Sequence, residues 1–273
     1  MNSVIRKSWP VAILATAILF AAENGAKPSY EQMEQFLKTA KVLKIKDLST
    51  GIAHTQRATL ADDKMQHDAH IQNIDEAKAV FQGDRGTEMN FRDTWKFNVA
   101  AYRLGLILGL DMIPPSVERK IGGKDSAVTW WVDDSMMEID RQKKKLESPD
   151  RDAWNREMHV VRVFDQLIYN TDRNLQNLVI TTDWRIWMID HTRAFRMSHD
   201  LENSKNLSLC ERRLLSKMKE LDRSTLQSKL HTWVGNPEID GLLARRDAIV
   251  NFFDKEAAAK GEAMVYYELP PRE

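Results

Sequence analysis

The sequence predicts an α+β fold of two lobes, a small β-rich lobe carrying one main helix, then a larger and mostly helical lobe. Three observations predict it. Short β-patterned pieces with polar turns fill the chain from Val42 to about Asp75, and a hairpin pattern spans Val117 to Val132. Between them Phe97, Ala100, Ala101, Leu104, Ile107 and Leu108 form a helical stripe. From Ser148 onward the apolar period is mostly helical. The 273 residues can bury a core without staples, and 42% apolar against 29% charged residues excludes disorder, collagen and coiled-coil bias. Forty Lys plus Arg balance 40 Asp plus Glu, which argues against a nucleic acid or other polyanion as the main partner.

In chain order, Arg6 and Lys7 precede an apolar run from Trp9 to Ala22, bounded by Glu23. Residues 1–22 therefore read as an export signal, and the protein as periplasmic or secreted. The run falls short of the roughly 20 residues a spanning helix needs. An uncleaved membrane anchor or a buried helix is the other reading, since Phe20 stands where a small residue is preferred before cleavage. No other stretch could span a membrane.

Residues 23–41 hold a helix, with Ser29 and Gln32 in capping-box spacing before Met33, Phe36, Leu37 and Ala40. The first lobe, residues 42–132, begins with strand patterns at Val42 to Ile45, Ile52 to Leu60 and Met65 to Ile74, the last two separated by an Asp62-Asp63-Lys64 turn. Its helix stops at Gly109, Pro114-Pro115 forces extension, and Gly122-Gly123 turns the hairpin. In the second lobe, residues 133–260, Asp140 to Glu147 reads as a solvated helix face or a linker. Ser148-Pro149 opens a helix carrying Trp154, Met158, Val161, Phe164, Leu167 and Ile168 inward. A polar loop, a short hairpin and helical patterns over Leu207 to Lys219, Ser224 to Val234 and Ile239 to Lys260 follow, and residues 261–273 form an extended tail. The single cysteine, Cys210, excludes an internal disulfide.

The chemistry concentrates between Phe164 and Phe195. If Leu178 to Ile180 pairs with Ile186 to Ile189, the chain returns to its starting end, where Asn177 and Asp190 face each other and Asp172 lies in the loop just before. Three oxygen-bearing side chains then converge, which suits a hard divalent cation with one carboxylate left to orient a nucleophile. Kinase-type phosphoryl transfer uses this arrangement: an Asp five residues before an Asn, then a second Asp after a strand.

Asn170-Thr171-Asp172-Arg173 with Asn177, then Ile189-Asp190 and Ala194-Phe195, resembles the catalytic core of type II phosphatidylinositol 4-kinases, secretory-pathway kinases related to the Golgi casein kinase, and HipA-like bacterial kinases. A second block, Val99 to Leu104 with Leu108-Gly109-Leu110 and Ile113-Pro114-Pro115-Ser116-Val117, resembles helix C and the next strand of exported bacterial members. The resemblance covers most of residues 42 to 195 and implies a bilobal, protein-kinase-like fold binding ATP with Mg or Mn. It implies catalytic-loop roles for Asp172 and Arg173, the latter steadying the loop, and metal ligation by Asn177 and Asp190. Trp130 to Asp134 become the strand and hinge beside the adenine, with Trp130, Val132 and Met136 as nucleotide-binding residues. Val128, Trp130, Met136 and Met137 read either as an adenine pocket or as plain core.

The departures concern charge. The lysine that grips the ATP phosphates falls at Gln72 and its helix C glutamate at Asn98, a neutral pair where kinases carry an ionic one. The glycine-rich loop reduces to Gly51, and Lys44, Lys46, Arg57 or Lys64 are the available substitutes for the lost charge. His191 reads as a structural histidine, Phe195 as packing, and His67 and His70 as strand residues on opposite faces. Two functions follow from the resemblance. One is transfer of the ATP γ-phosphate to a protein, lipid or sugar hydroxyl. The alternative is an exported pseudokinase that binds nucleotide or a protein partner without turnover.

Overall fold

A computed structural model describes residues 27–48, 55–83, 86–270 and 272. The export-signal reading of residues 1–22 and the Gly51 loop fall outside the described residues. Ser29 begins the described core by capping α1 (Tyr30–Thr39): its hydroxyl accepts from Gln32 N at 3.3 Å, and Gln32 Oε1 accepts from Ser29 N at 2.8 Å.

An antiparallel meander follows, β1 (Lys41–Asp47), β2 (Gln56–Ala61) and β3 (Gln66–Gln72). The Asp62 carboxylate makes the last turn by accepting the N–H groups of Lys64 and Met65, both at 2.8 Å. Next come a separate hairpin, β4 (Asp75–Gly83) and β5 (Gly86–Thr94), then α2 (Lys96–Leu108), which ends where Gly109 takes φ 67°. β6 (Ser116–Ile121) and β7 (Lys124–Trp130) join through Gly122 and Gly123, whose φ values of 56° and 84° suit a turn that needs two left-handed residues. The sheet order is β1-β2-β3-β7-β6.

This sheet separates two helices. Phe36 and Leu37 of α1 pack with Ala58, Leu60, Ala69, Ile71, Val117 and Val128, whereas Val99 of α2 packs against Ala127. Side chains alternate along a strand, so neighbours Ala127 and Val128 serve opposite faces. By the same alternation Gln72, next to Ile71, turns toward α2.

The helical part comprises β8 (Ser135–Met137), α3 (Glu138–Lys143), α4 (Arg151–Ile168), β9 (Leu178–Thr181), β10 (Ile186–Met188), β11 (Cys210–Glu211), α5 (Arg212–Glu220), α6 (Arg223–Leu230), α7 (Asn236–Lys260) and β12 (Tyr266–Tyr267). Its core joins Phe97, Tyr102 and Leu104 of α2 to Val160, Phe164 and Leu167 of α4 and to Leu214, Leu226, Leu242 and Phe253 beyond. Arg245 of α7 is fully buried and donates to the carbonyls of Leu167, Arg196 and Ser198. Gly241 makes this approach possible, because a Cβ there would lie 2.8–3.0 Å from Arg245 Nη1 and the same Ser198 and Arg196 carbonyls. Among the described residues no helix is long and apolar enough to cross a membrane.

Several elements depart from the sequence reading. The β4–β5 hairpin replaces a stretch with no assigned structure. α4 is capped by Asp150, which accepts from Ala153 N at 2.9 Å, so Pro149 lies outside the helix instead of in its first turn. The helix expected from Leu207 begins only at Arg212: Glu211 caps it through Leu214 N at 2.7 Å, and Cys210–Glu211 pairs in parallel with Tyr266–Tyr267. α6 stops at Leu230, and the first half of Asp140 to Glu147 belongs to α3.

Candidate active site

α4 ends as Tyr169 turns into the left-handed region at φ 49°. The next loop is built by its own side chains. Asn170 donates to Asp165 Oδ1 at 3.0 Å and accepts from Asp172 N at 3.1 Å. Arg173 grips both Asp165 oxygens, at 2.9 and 3.1 Å, and donates to the carbonyls of Asn177 at 2.5 Å and Ile189 at 2.7 Å. Asn177 Nδ2 closes the loop on the Asp172 carbonyl at 2.8 Å. Pairing of Met188 with Leu178, and of Ile189 N with Asn177 O at 3.2 Å, then sets Asn177 and Asp190 at the same end of the β9–β10 hairpin. Asp190 takes φ 52°, a conformation Asp tolerates better than most residues and one that recurs where function demands an awkward backbone.

These residues open onto a cleft of about 940 Å³ between the five-stranded sheet and the helical part. Asp172, Asn177 and Asp190 line it together with Gln72 and Asn98. Trp130, Val132, Met136 and Met137 line it as well, while Val128 is core. The Trp130 ring stacks on His67 at 3.7 Å and meets Phe36 edge-on at 5.8 Å. Arg173 does not line the cleft; its donors are spent on Asp165 and two carbonyls, so it holds the loop in place. Phe195 packs at 5.4 Å from Phe97. His70 faces the cleft and His67 pairs with Asp133 at 2.6 Å. None of Lys44, Lys46, Arg57 and Lys64 lines the cleft, which corrects their expected role as substitute cations. Arg57 instead pairs with Asp68 at 2.6 Å and lies 4.0 Å from the centre of the Trp131 ring.

Asn98 is the junction of the two parts. Its Nδ2 donates to Gln72 Oε1 at 2.6 Å, and its Oδ1 accepts from the backbone N–H of His191 at 2.7 Å. The neutral pair read at Gln72 and Asn98 is thus assembled, and it reaches the segment that carries Asp190. Gln72 Nε2, buried, has no hydrogen-bond partner. A second link was not read from the sequence: Thr94 N donates to Thr192 O at 3.0 Å, and Arg193 Nε donates to Asp93 Oδ2 at 2.7 Å. Asp93 is 4% exposed. Nothing in the local pattern marks it, because its partner lies 100 positions away.

Burial raises the Asp172 carboxyl above its ordinary value, with the positive charge of Arg193 opposing and the negative charge of Asp190 adding to it. Burial holds His191 well below its ordinary value, so its imidazole is neutral. Among the described residues no group of three or more His, Cys, Asp or Glu could hold a metal. The donors at hand are one Asn and one Asp. They fit a hard cation of the Mg or Mn type, which binds through one or two carboxylates with substrate phosphates and water completing its shell.

No family model matches the chain, and no curated protein matches it in sequence. Among solved structures, that of hydra Fam20 with sugar aligns at TM-score 0.63 and 14% identity, over 88% of this chain and 92% of that one. The Golgi casein kinase aligns at TM-score 0.62 and 13% identity, over 89% and 80%, both without a stated ligand and with Mn and ADP bound. At such identities the likeness concerns the fold, and the chain has the bilobal, atypical protein-kinase-like α+β fold of these structures.

Proposed function

We propose that the protein is an ATP-dependent phosphotransferase of the kinase type, acting on a protein, lipid or sugar hydroxyl. The observation that carries this reading is the convergence of Asp172, Asn177 and Asp190 on one wall of a single cleft. Asp172 orients the acceptor hydroxyl and takes up its proton; the raised carboxyl brings its basicity closer to what proton transfer near neutral pH requires. Asn177 and Asp190 hold Mg or Mn, which when bound neutralises charge on the phosphates. Val132 and Met136 flank the adenine, and Gln72 Nε2 offers an unused donor to a phosphate oxygen. The Golgi casein kinase with Mn and ADP supports this choice of ligands. Export through residues 1–22 is part of the proposal and rests on the sequence pattern.

A specific observation favours a second reading, a pseudokinase that binds nucleotide without turnover. The Gln72–Asn98 pair carries no net charge, so it supplies no cation to the phosphates from β3. The mature chain incubated with labelled ATP and Mn, beside Asp172→Ala, separates the two. Transfer by the parent and none by the variant supports the enzyme. A thermal shift of about 2.7 kcal/mol at 100 times the dissociation constant, without transfer, supports the pseudokinase. No shift and no transfer removes both.

A further inference from the structure

The geometry points to Arg193, clamped by Asp93, as the cation that binds the nucleotide phosphates in place of the absent strand lysine. This inference rests on the nucleotide reading above and goes beyond it by assigning the phosphate contact to a residue on the opposite side of the cleft.

Among the described residues lining the cleft, only Arg193 and Lys144 carry a fixed positive charge. Lys144 follows α3 as its C-cap, and no hydrogen bond or ion pair joins it to Asp172, Asn177 or Asp190 among the described residues. Arg193 sits with the acidic groups: burial opposes its charge, but Asp93, Asp172 and Asp190 together hold its guanidinium above its ordinary value. One of its donors, Nε, is committed to Asp93 Oδ2 at 2.7 Å, and neither Nη1 nor Nη2 makes a hydrogen bond among the described residues. The side chain is 30% exposed, so the free edge of the fork can be reached from the cleft. A guanidinium edge with two free nitrogens matches a pair of phosphate oxygens.

The surroundings fix this edge. The Arg193 carbonyl accepts from Thr171 N at 3.4 Å and Thr171 Oγ1 at 3.2 Å, which ties it to the loop that carries Asp172. Asp93 stands three residues before the start of α2 and is held by the Thr94 to Thr192 backbone bond. In an ordinary kinase a cation on β3 is steadied by a carboxylate on the helix packed beside it. Here β3 and α2 supply amides instead, while the cation follows β10 and its steadying carboxylate lies at the end of β5. Arg193 lies three residues after Asp190, so the same segment presents both a metal-binding carboxylate and a phosphate-binding cation.

The test compares binding of adenosine and of ADP with Mn by isothermal titration to the parent chain, Arg193→Gln and Arg193→Lys. The expected result is a loss of ADP affinity on the order of 10- to 100-fold in Arg193→Gln, adenosine affinity unchanged, and an intermediate loss in Arg193→Lys. Arg193→Gln alone leaves the buried Asp93 carboxylate without its cation, so the double variant with Asp93→Asn, which keeps an uncharged hydrogen bond, is measured in parallel with its melting temperature. A folded double variant showing the same selective loss supports the assignment. Unchanged ADP affinity, or equal losses for adenosine and ADP, overturns it while leaving the nucleotide reading in place. A parent chain that binds neither ligand overturns both.

Discussion

Asn98 Oδ1 accepts the backbone N–H of His191 at 2.7 Å while its Nδ2 donates to Gln72 at 2.6 Å, so one side chain of α2 ties β3 to the residue following Asp190. Both ends of this bridge are buried. Replacing Asn98 by Ala strands an acceptor on Gln72 and an N–H on His191, at about 1–3 kcal/mol each. Gln72→Lys alone buries a charge without a partner and is expected to cost about 3–5 kcal/mol. Gln72→Lys with Asn98→Glu restores an ion pair, so the double variant is expected to be more stable than Gln72→Lys by at least about 2 kcal/mol. Urea unfolding of the four chains of the cycle measures this; additive effects would show that the two side chains do not interact.

Asp172 illustrates stability yielded to a site. Its folded-state carboxyl is raised, chiefly by burial, so the ionised form is disfavoured relative to the unfolded chain. The sign is the reverse of a salt-bridged aspartate: the penalty is absent below the unfolded value of about 3.9, grows as pH rises toward the folded value, and is complete above that value. Asp172→Asn is therefore expected to melt higher than the parent at pH 7 and with it below about pH 3.5. Thermal melts across pH 3 to 8 check it. A variant less stable than the parent at pH 7 would show that the carboxylate is stabilised there.

How much of this site was legible follows from where its signals lie. Asn177 and Asp190 are separated by a short hairpin whose apolar strands and polar turn can be read locally, Asp172 lies in the loop before it, and the observed register brings Asn177 beside Ile189. Gln72 and Asn98 sit on elements with clear apolar periods, a half-buried strand and a helix ended by glycine. The β4–β5 hairpin has no such signal. Almost every residue of Asp75–Gly83 is exposed, so neither face shows an apolar alternation, and its aromatic contact, Phe81 on Phe91 at 4.1 Å, joins residues ten positions apart. Missing that hairpin hid Asp93, and with it the partner of Arg193.

Arg173 is adjacent to Asp172 yet its substitution is expected to act on the fold. Its guanidinium pairs with Asp165, which is 7% exposed, and fastens the ends of β9 and β10 through the Asn177 and Ile189 carbonyls. Arg173→Ala leaves that carboxylate without its cation, a loss of about 3–5 kcal/mol. For a chain of this size the melting temperature falls by roughly 10 °C. Arg173→Lys recovers little, since an ammonium cannot hold two carboxylate oxygens and two carbonyls at once. Differential scanning calorimetry of both variants provides the check, and a melting temperature within about 2 °C of the parent in Arg173→Ala would refute the positioning role.

The start of α4 separates a cap read from composition from a cap made by geometry. Ser148 before Pro149 has the right residue types, but the Ser148 hydroxyl is used two residues on, donating to the Asp150 carbonyl at 2.9 Å and accepting from Asp150 N at 3.3 Å. That small turn holds Asp150 at φ −117° and ψ 96°, extended, so its carboxylate can reach Ala153 N at the first turn of the helix. Asp150 also places negative charge at the positive end of a helix of 18 residues. Asp150→Ala is expected to cost about 1 kcal/mol, lowering the melting temperature by about 2–4 °C in a calorimetric scan. Ser148→Ala removes only the supporting turn and is expected to cost less than half as much. Equal losses in the two variants would return the cap to Ser148.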